Sequence, residues 1–140
     1  MVYSRTMSKK VVVKRATAGL GLFAARSLKK GEFVIEYTGE RISPEEANRR
    51  GGRYLFTVTK DLVLDAKDRR HLARYMNHAC KPNCYAEADT EAGRIRIYTK
   101  RRITSGEELT YHYGTEYVED IIGADCRCLT CLQNKASENL

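Results

Sequence analysis

The chain has 140 residues, of which 42% are hydrophobic and 31% charged, and a net charge of +7. That length suffices for one domain with a buried core, and the composition is that of a soluble globular fold. No apolar run approaches the roughly 20 residues that span a bilayer, and "MVYSRTMSKK" lacks the apolar stretch of a secretory leader.

Residues 1–8 read as a flexible basic tail. "KKVVVKRA" follows as a strand, because β-branched residues run together. In "TAGLGLFAA" two glycines precede an apolar stretch, which suggests a tight backbone turn. "GEFVIEYTGE" reads as a strand bracketed by Gly31 and Gly39. "ISPEEANRR" carries the signature of a short helix: Ser43 caps it, Pro44 suits its first position, and Glu46 completes a capping box. "GGRYLFTVT" and "DLVLDA" form a hairpin pair joined by Lys60-Asp61, and "HLARYMNH" reads as a helical turn. "RIRIYTK" alternates cleanly, as a half-buried strand does. After the turn at Ser105-Gly106, "EELTYHYG" is another short strand. Many short strands with few helices indicate a mainly β domain.

Charge and cysteine are both unevenly spread. Residues 1–30 carry eight Lys/Arg and no acid, whereas residues 103–140 carry two bases and seven acids. The basic start suits a weak nucleic-acid contact, and the acidic end suits a basic partner. The five cysteines are an odd number, and Cys126, Cys128 and Cys131 sit within six residues. This argues for reduced thiols, some of them on a metal, rather than a disulfide framework. Three thiolates so close suit tetrahedral zinc, with Cys80 or Cys84 as the fourth ligand. In "YHYG" the alternate tyrosines Tyr111 and Tyr113 face one side of the strand.

Taken in order, "GLGLFA", "EYTGE", "RYMNHACKPNC", "GEELTYHYG" and "CRCLTC" resemble the SET-domain protein lysine methyltransferases with their post-SET zinc loop. The resemblance runs from about residue 9 to residue 131. It implies a SET-domain fold of several small β-sheets with few short helices. A C-terminal pseudoknot would thread the chain end through a loop containing "NHAC". It divides the chain into the tail 1–8, a SET domain 9–115 and a post-SET zinc-binding segment 116–140, with no pre-SET region.

The implied activity is methyl transfer from S-adenosylmethionine to a lysine amine on a basic tail, a histone being the expected substrate. That would put the protein inside the cell, at chromatin, with export by a route without a cleaved leader left open. By the resemblance Tyr113 is the catalytic tyrosine, Tyr37 a second channel tyrosine, and Tyr111 the residue that limits added methyl groups, so that mono- or dimethylation is expected. Gly19, Gly21, Leu22, Arg74, Asn77, His78 and Tyr113 match cofactor positions, and Tyr54 lies near the peptide groove. Cys80 becomes the fourth zinc ligand, beside Cys126, Cys128 and Cys131, and Cys84 a small buried residue. Ala79, His112 and the shortened spacing before Cys131 depart from the usual pattern. A catalytically silent module using the same groove, and a zinc-dependent nucleic-acid binder, are the rival readings.

Overall fold

Strict alternation decides the centre of the structure. In "RIRIYT", Ile95, Ile97 and Thr99 are buried while Arg94, Arg96 and Tyr98 turn outward, as a two-residue side-chain period requires. The computed structural model describes residues 9–17 and 19–113, and the elements below refer to these. Ten strands, β1 (Val11–Ala16), β2 (Gly19–Ala24), β3 (Phe33–Tyr37), β4 (Glu40–Ile42), β5 (Leu55–Thr59), β6 (Leu62–Asp65), β7 (Asn77–His78), β8 (Cys84–Asp89), β9 (Arg94–Thr99) and β10 (Glu108–Tyr111), make three small sheets. Their orders are β1-β2-β10-β7, β3-β9-β8 and β4-β6-β5. The domain is therefore mainly β, as the sequence indicates. One helix, α1 (Pro44–Arg50), and one 3-10 turn, Leu72–Tyr75, complete the described elements.

Local chemistry explains most boundaries. Ser43 Oγ accepts the Glu46 amide at 3.1 Å, Pro44 opens α1, and Gly51 closes it in the left-handed region at φ 59°. Only half of the expected capping box forms, because the Glu46 carboxylate turns to Arg49 and Arg50 instead. Those two guanidiniums pull its carboxyl down to about 2. "GEFVIEYTGE" divides into β3 and β4 at Thr38-Gly39. There a β-carbon on Gly39 would stand 2.8 Å from the Asp65 backbone. The "GLG" glycines lie within strand β2, not in a turn. "HLARYMNH" splits into the 3-10 turn and the two-residue strand β7.

The core gathers Leu22, Leu28, Met76, Ile95, Ile97, Ile103 and Leu109 from all along the chain. What joins the sheets is less hydrophobic. Strand β10 pairs with β2 on one side and, in parallel, with β7 on the other, through Thr110↔Asn77 and Tyr111↔His78. These are the two segments whose crossing defines the expected pseudoknot; the chain beyond Tyr113 lies outside the described residues. Buried Asn83 then fastens β10 to the third neighbour. Its Nδ2 donates to the Glu108 carbonyl at 2.8 Å, its Oδ1 accepts the Thr110 amide at 2.9 Å, and its own carbonyl accepts the Lys100 amide at 2.8 Å. One amide side chain thus completes a ladder that no backbone strand reaches.

Removing the Asn83 amide leaves the Glu108 carbonyl and the Thr110 amide without their partner in a buried setting, and each such group costs about 1–3 kcal/mol. Asn83→Ala is accordingly expected to lower unfolding stability by about 2–4 kcal/mol, read from a denaturant midpoint at unchanged slope. A shift below the error of that measurement would mean that water replaces the side chain without loss.

Candidate active site

Six aromatic rings form one connected wall. Tyr37 and Phe56 lie 5.0 Å apart between centroids, Phe56 and Tyr111 6.2 Å, Tyr111 and Tyr113 5.0 Å, Tyr113 and His78 5.4 Å, and His78 and His112 4.6 Å. The three sheets each contribute: β3 brings Tyr37, β5 brings Phe56, and β7 with β10 bring His78 and Tyr111. Tyr37 and Tyr111 are 3% and 7% exposed, whereas Tyr113 is half-buried. The wall therefore opens at Tyr113 and closes inward. Tyr113 lies past the end of β10, yet its ring keeps to the side of Tyr111, as alternation within "YHYG" implies.

The hydroxyl protons have defined destinations. Tyr113 donates to the Met76 carbonyl at 2.6 Å, and Tyr37 donates to the Tyr54 carbonyl at 3.2 Å. Toward any further group each of these oxygens acts as an acceptor. Arg74 spreads its guanidinium over the Tyr54 ring at 3.8 Å and over the Tyr75 ring at 5.1 Å. Its Nε is buried without a hydrogen-bond partner, which marks it as a donor poised for an acceptor outside the described contacts.

Beside this wall lies the strand carrying the "NH" pair. Asn77 Nδ2 donates to the Leu20 carbonyl at 3.1 Å and to Glu108 Oε2 at 2.8 Å, so its side chain braces β2, β7 and β10 together. This explains Gly21, where a β-carbon would meet Glu108 Oε2 at 2.7 Å and Ala16 Cβ at 2.9 Å. Gly19 differs: it holds φ 105° and has nothing within 4 Å of its missing β-carbon. Leu22 sends its side chain into the core, so only its backbone borders the site. His78 Nδ1 accepts the Tyr113 amide at 3.1 Å, which leaves the ring proton on Nε2, 3.4 Å from Cys80 Sγ. Burial, helped by His112, pushes His78 down to about 4, so the ring is neutral at pH 7.

Two cysteines fall among the described residues, and they differ sharply. Cys84 is 0% exposed and burial drives its thiol up to about 12, so it is a small buried residue. Cys80 is half-buried at the end of the "NHAC" segment. Cys126, Cys128 and Cys131 lie outside the described residues. No cluster of three metal-ligating side chains occurs among the described residues, and no described helix is long and apolar enough to cross a membrane.

Sequence reasoning overlooked Phe56, Asn83, Glu108 and the Met76 carbonyl. Phe56 stands two residues from Tyr54 in an alternating strand and reads as core. Asn83 follows Pro82, a dipeptide whose ordinary meaning is a turn.

Residues 19–114 match the SET domain family. The chain is 43% identical over 120 residues to "Histone-lysine N-methyltransferase 2D" of Homo sapiens, covering 79% of this chain and 2% of that protein. It is 40% identical over 123 residues to "Histone-lysine N-methyltransferase, H3 lysine-4 specific" of Schizosaccharomyces pombe, covering 80% of this chain and 13% of that protein. Among solved structures, "Crystal structure of an active polycomb repressive complex 2 in the basal state" aligns with a TM-score of 0.68 and 38% identity, over 76% of this chain and 15% of that one. The chain thus spans only a small part of the relatives it matches. With the matched segment covering the aromatic wall and the β7–β10 pairing, the chain belongs to the SET-domain family.

Proposed function

We infer that this chain is an S-adenosylmethionine-dependent protein lysine N-methyltransferase that mono- or dimethylates a basic tail of the histone type. The observation that carries this reading is the continuous wall from Tyr37 through Phe56 and Tyr111 to Tyr113, ending against the Asn77–His78 strand. Relatives named as histone-lysine methyltransferases support the histone substrate, and such a substrate would have the protein act at chromatin.

The residues fit the cofactor on three grounds. Open space lies over Gly19, the Arg74 Nε lacks a partner, and the Asn77 and His78 side chains are already engaged, so their backbone groups are what this strand offers. When bound, the cofactor would supply an electrophilic methyl group on a sulfonium, open to in-line displacement by the lysine amine with loss of the carbon–sulfur bond. The chain's own task is positioning, which can supply several kcal/mol of barrier lowering. A lysine stem enclosed by phenol and phenyl faces is held straight, and its ammonium, ordinarily titrating near 10.4, is pushed toward the neutral amine by apolar enclosure. Tyr113, its proton given to Met76, offers oxygen lone pairs toward the amine. Tyr111 narrows the inner end and limits room for further methyl groups. Arg74 stacked on Tyr54 steadies the carbonyl that orients Tyr37.

The same reading makes residues 116–140 the post-SET segment, with zinc held by Cys80, Cys126, Cys128 and Cys131. Cys80 suits this role because a ligand must be a thiolate, and the enclosed Cys84 resists ionisation.

Incubation with core histones and labelled cofactor, followed by mass mapping, is expected to show methyl transfer to lysine. Tyr113→Phe should lower kcat by about 100-fold with the fold retained. Cofactor uptake without transfer to any basic protein would instead favour the silent module. In the same assay Tyr111→Phe should raise the methylation state of the product, and an unchanged distribution would remove Tyr111 from that role. For the metal, iodoacetamide at mildly alkaline pH should leave Cys84 unmodified with or without chelator. Cys80 should become reactive together with Cys126, Cys128 and Cys131 once zinc is stripped; Cys80 reactive throughout, with Cys84 exposed by chelation, would reverse the assignment.

A further inference from the structure

The β3-β9-β8 sheet has a second face, turned away from the core, that the aromatic wall does not use. Phe33, Tyr98 and Tyr85 stand in one row across its three strands, in the registers Phe33↔Tyr98 and Tyr85↔Tyr98. Their centroids are 5.8 Å and 5.7 Å apart. Phe33 and Tyr85 are 40% and 39% exposed, and they are two of four large hydrophobic side chains so exposed among the described residues. A register shift between Phe33 and Ile35 puts Phe33 on this outer face while Tyr37 turns inward.

The row is bordered by unbalanced positive charge. The bridge Leu28↔Ile103 lays residues 29–30 beside residues 100–102 at the Phe33 end of the sheet. Lys29, Lys30, Lys100 and Arg102 are exposed there, and none makes an ion pair among the described residues. Lys10, whose ammonium stands 5.6 Å from the Phe33 ring, is by contrast paired with Glu32 at 3.1 Å. At the opposite end of the face Arg94 and Arg96 are matched by Glu36 and Asp89, and exposed Glu87 bounds the surface. Exposed rings in a row on a sheet, with cations along one margin, fit a chain of flat bases joined by phosphates. A duplex keeps its bases stacked on one another and has no use for the rings. An acidic peptide has no use for their planarity.

We propose that the outer face of the β3-β9-β8 sheet binds single-stranded nucleic acid, bases stacking on Tyr85, Tyr98 and Phe33 and phosphates meeting Lys29, Lys30 and Lys100. The proposal draws on none of residues 1–8, and it does not depend on the lysine-methylating reading. Phe33 and Tyr37 mark the two ends of β3, about 13 Å apart, so a bound strand leaves the aromatic wall open.

The test is fluorescence anisotropy with the zinc-loaded full chain and a labelled oligo-uridine of about 12 nucleotides, at about 50 mM and about 200 mM salt. Binding should weaken steeply with salt. Tyr85→Leu, which keeps apolar bulk against Tyr98, should weaken it roughly 5- to 100-fold, and Tyr85→Phe should restore it. The double variant Lys29→Glu, Lys30→Glu should weaken binding and flatten its salt dependence. Circular dichroism checks that each variant is folded. The proposal is overturned if no binding appears at the lower salt, if a duplex or polyglutamate of equal charge binds as tightly, or if Tyr85→Leu has no effect in a folded chain.

Discussion

Strand β10 is hydrogen-bonded on two sides and pinned on a third, and everything functional in this domain is referred to it. Its pairing with β7 aligns Tyr111 with His78, its pairing with β2 sets Gly21 beside Asn77, and Asn83 ties it to the start of β8. The specificity comes from polar groups, Asn83 buried and Asn77 half-buried. Asn77 and Asn83 each satisfy two or more groups, and a register slip would leave all of them unpaired. Such a network is costly to form wrongly, which is why Asn77 can fix the order of β2, β10 and β7 while Asn83 seats β10 against the start of β8.

The aromatic wall is a consequence of that placement. Tyr37, Phe56 and Tyr111 come from three different sheets, and Tyr111 meets the Tyr37–Phe56 pair only when β10 is seated. Hydrogen bonds to the Met76 and Tyr54 carbonyls then fix the phenols in rotation. Hydroxyls held by hydrogen bonds beside packed strands confine a reacting group more narrowly than mobile side chains do, which suits chemistry in which alignment supplies most of the acceleration.

Much of this was legible in the residues. "RIRIYT" announces its buried face, and Ser43-Pro44 announces a helix start, because these signals are local. The five ordered motifs pointed to the family because their order is itself information about topology. Strand β8, "CYAEAD", was not legible: its two alanines and two acidic residues gave it no strong β pattern, and it exists because β9 pairs with it along its length. The division of β3 from β4 depends on the Asp65 backbone passing close to Gly39, a distant contact. Asn83 is a turn residue by every local rule and a strand substitute in fact. What the sequence hides are long-range bonds from side chain to backbone, whose partners lie decades of residues away.

The order of synthesis gives the parallel pairing a further meaning. Asn77 and Thr110 are partners across 33 positions, and Phe23 waits for Glu108 across 85. A nascent chain can close the β1–β2, β5–β6 and β8–β9 hairpins as each emerges, but the loop-closure entropy of the β10 contacts must be met before they stabilise anything. Until then the polypeptide leaving the ribosome holds its hairpins without the aligned tyrosines, and the aromatic wall is completed only when β10 arrives.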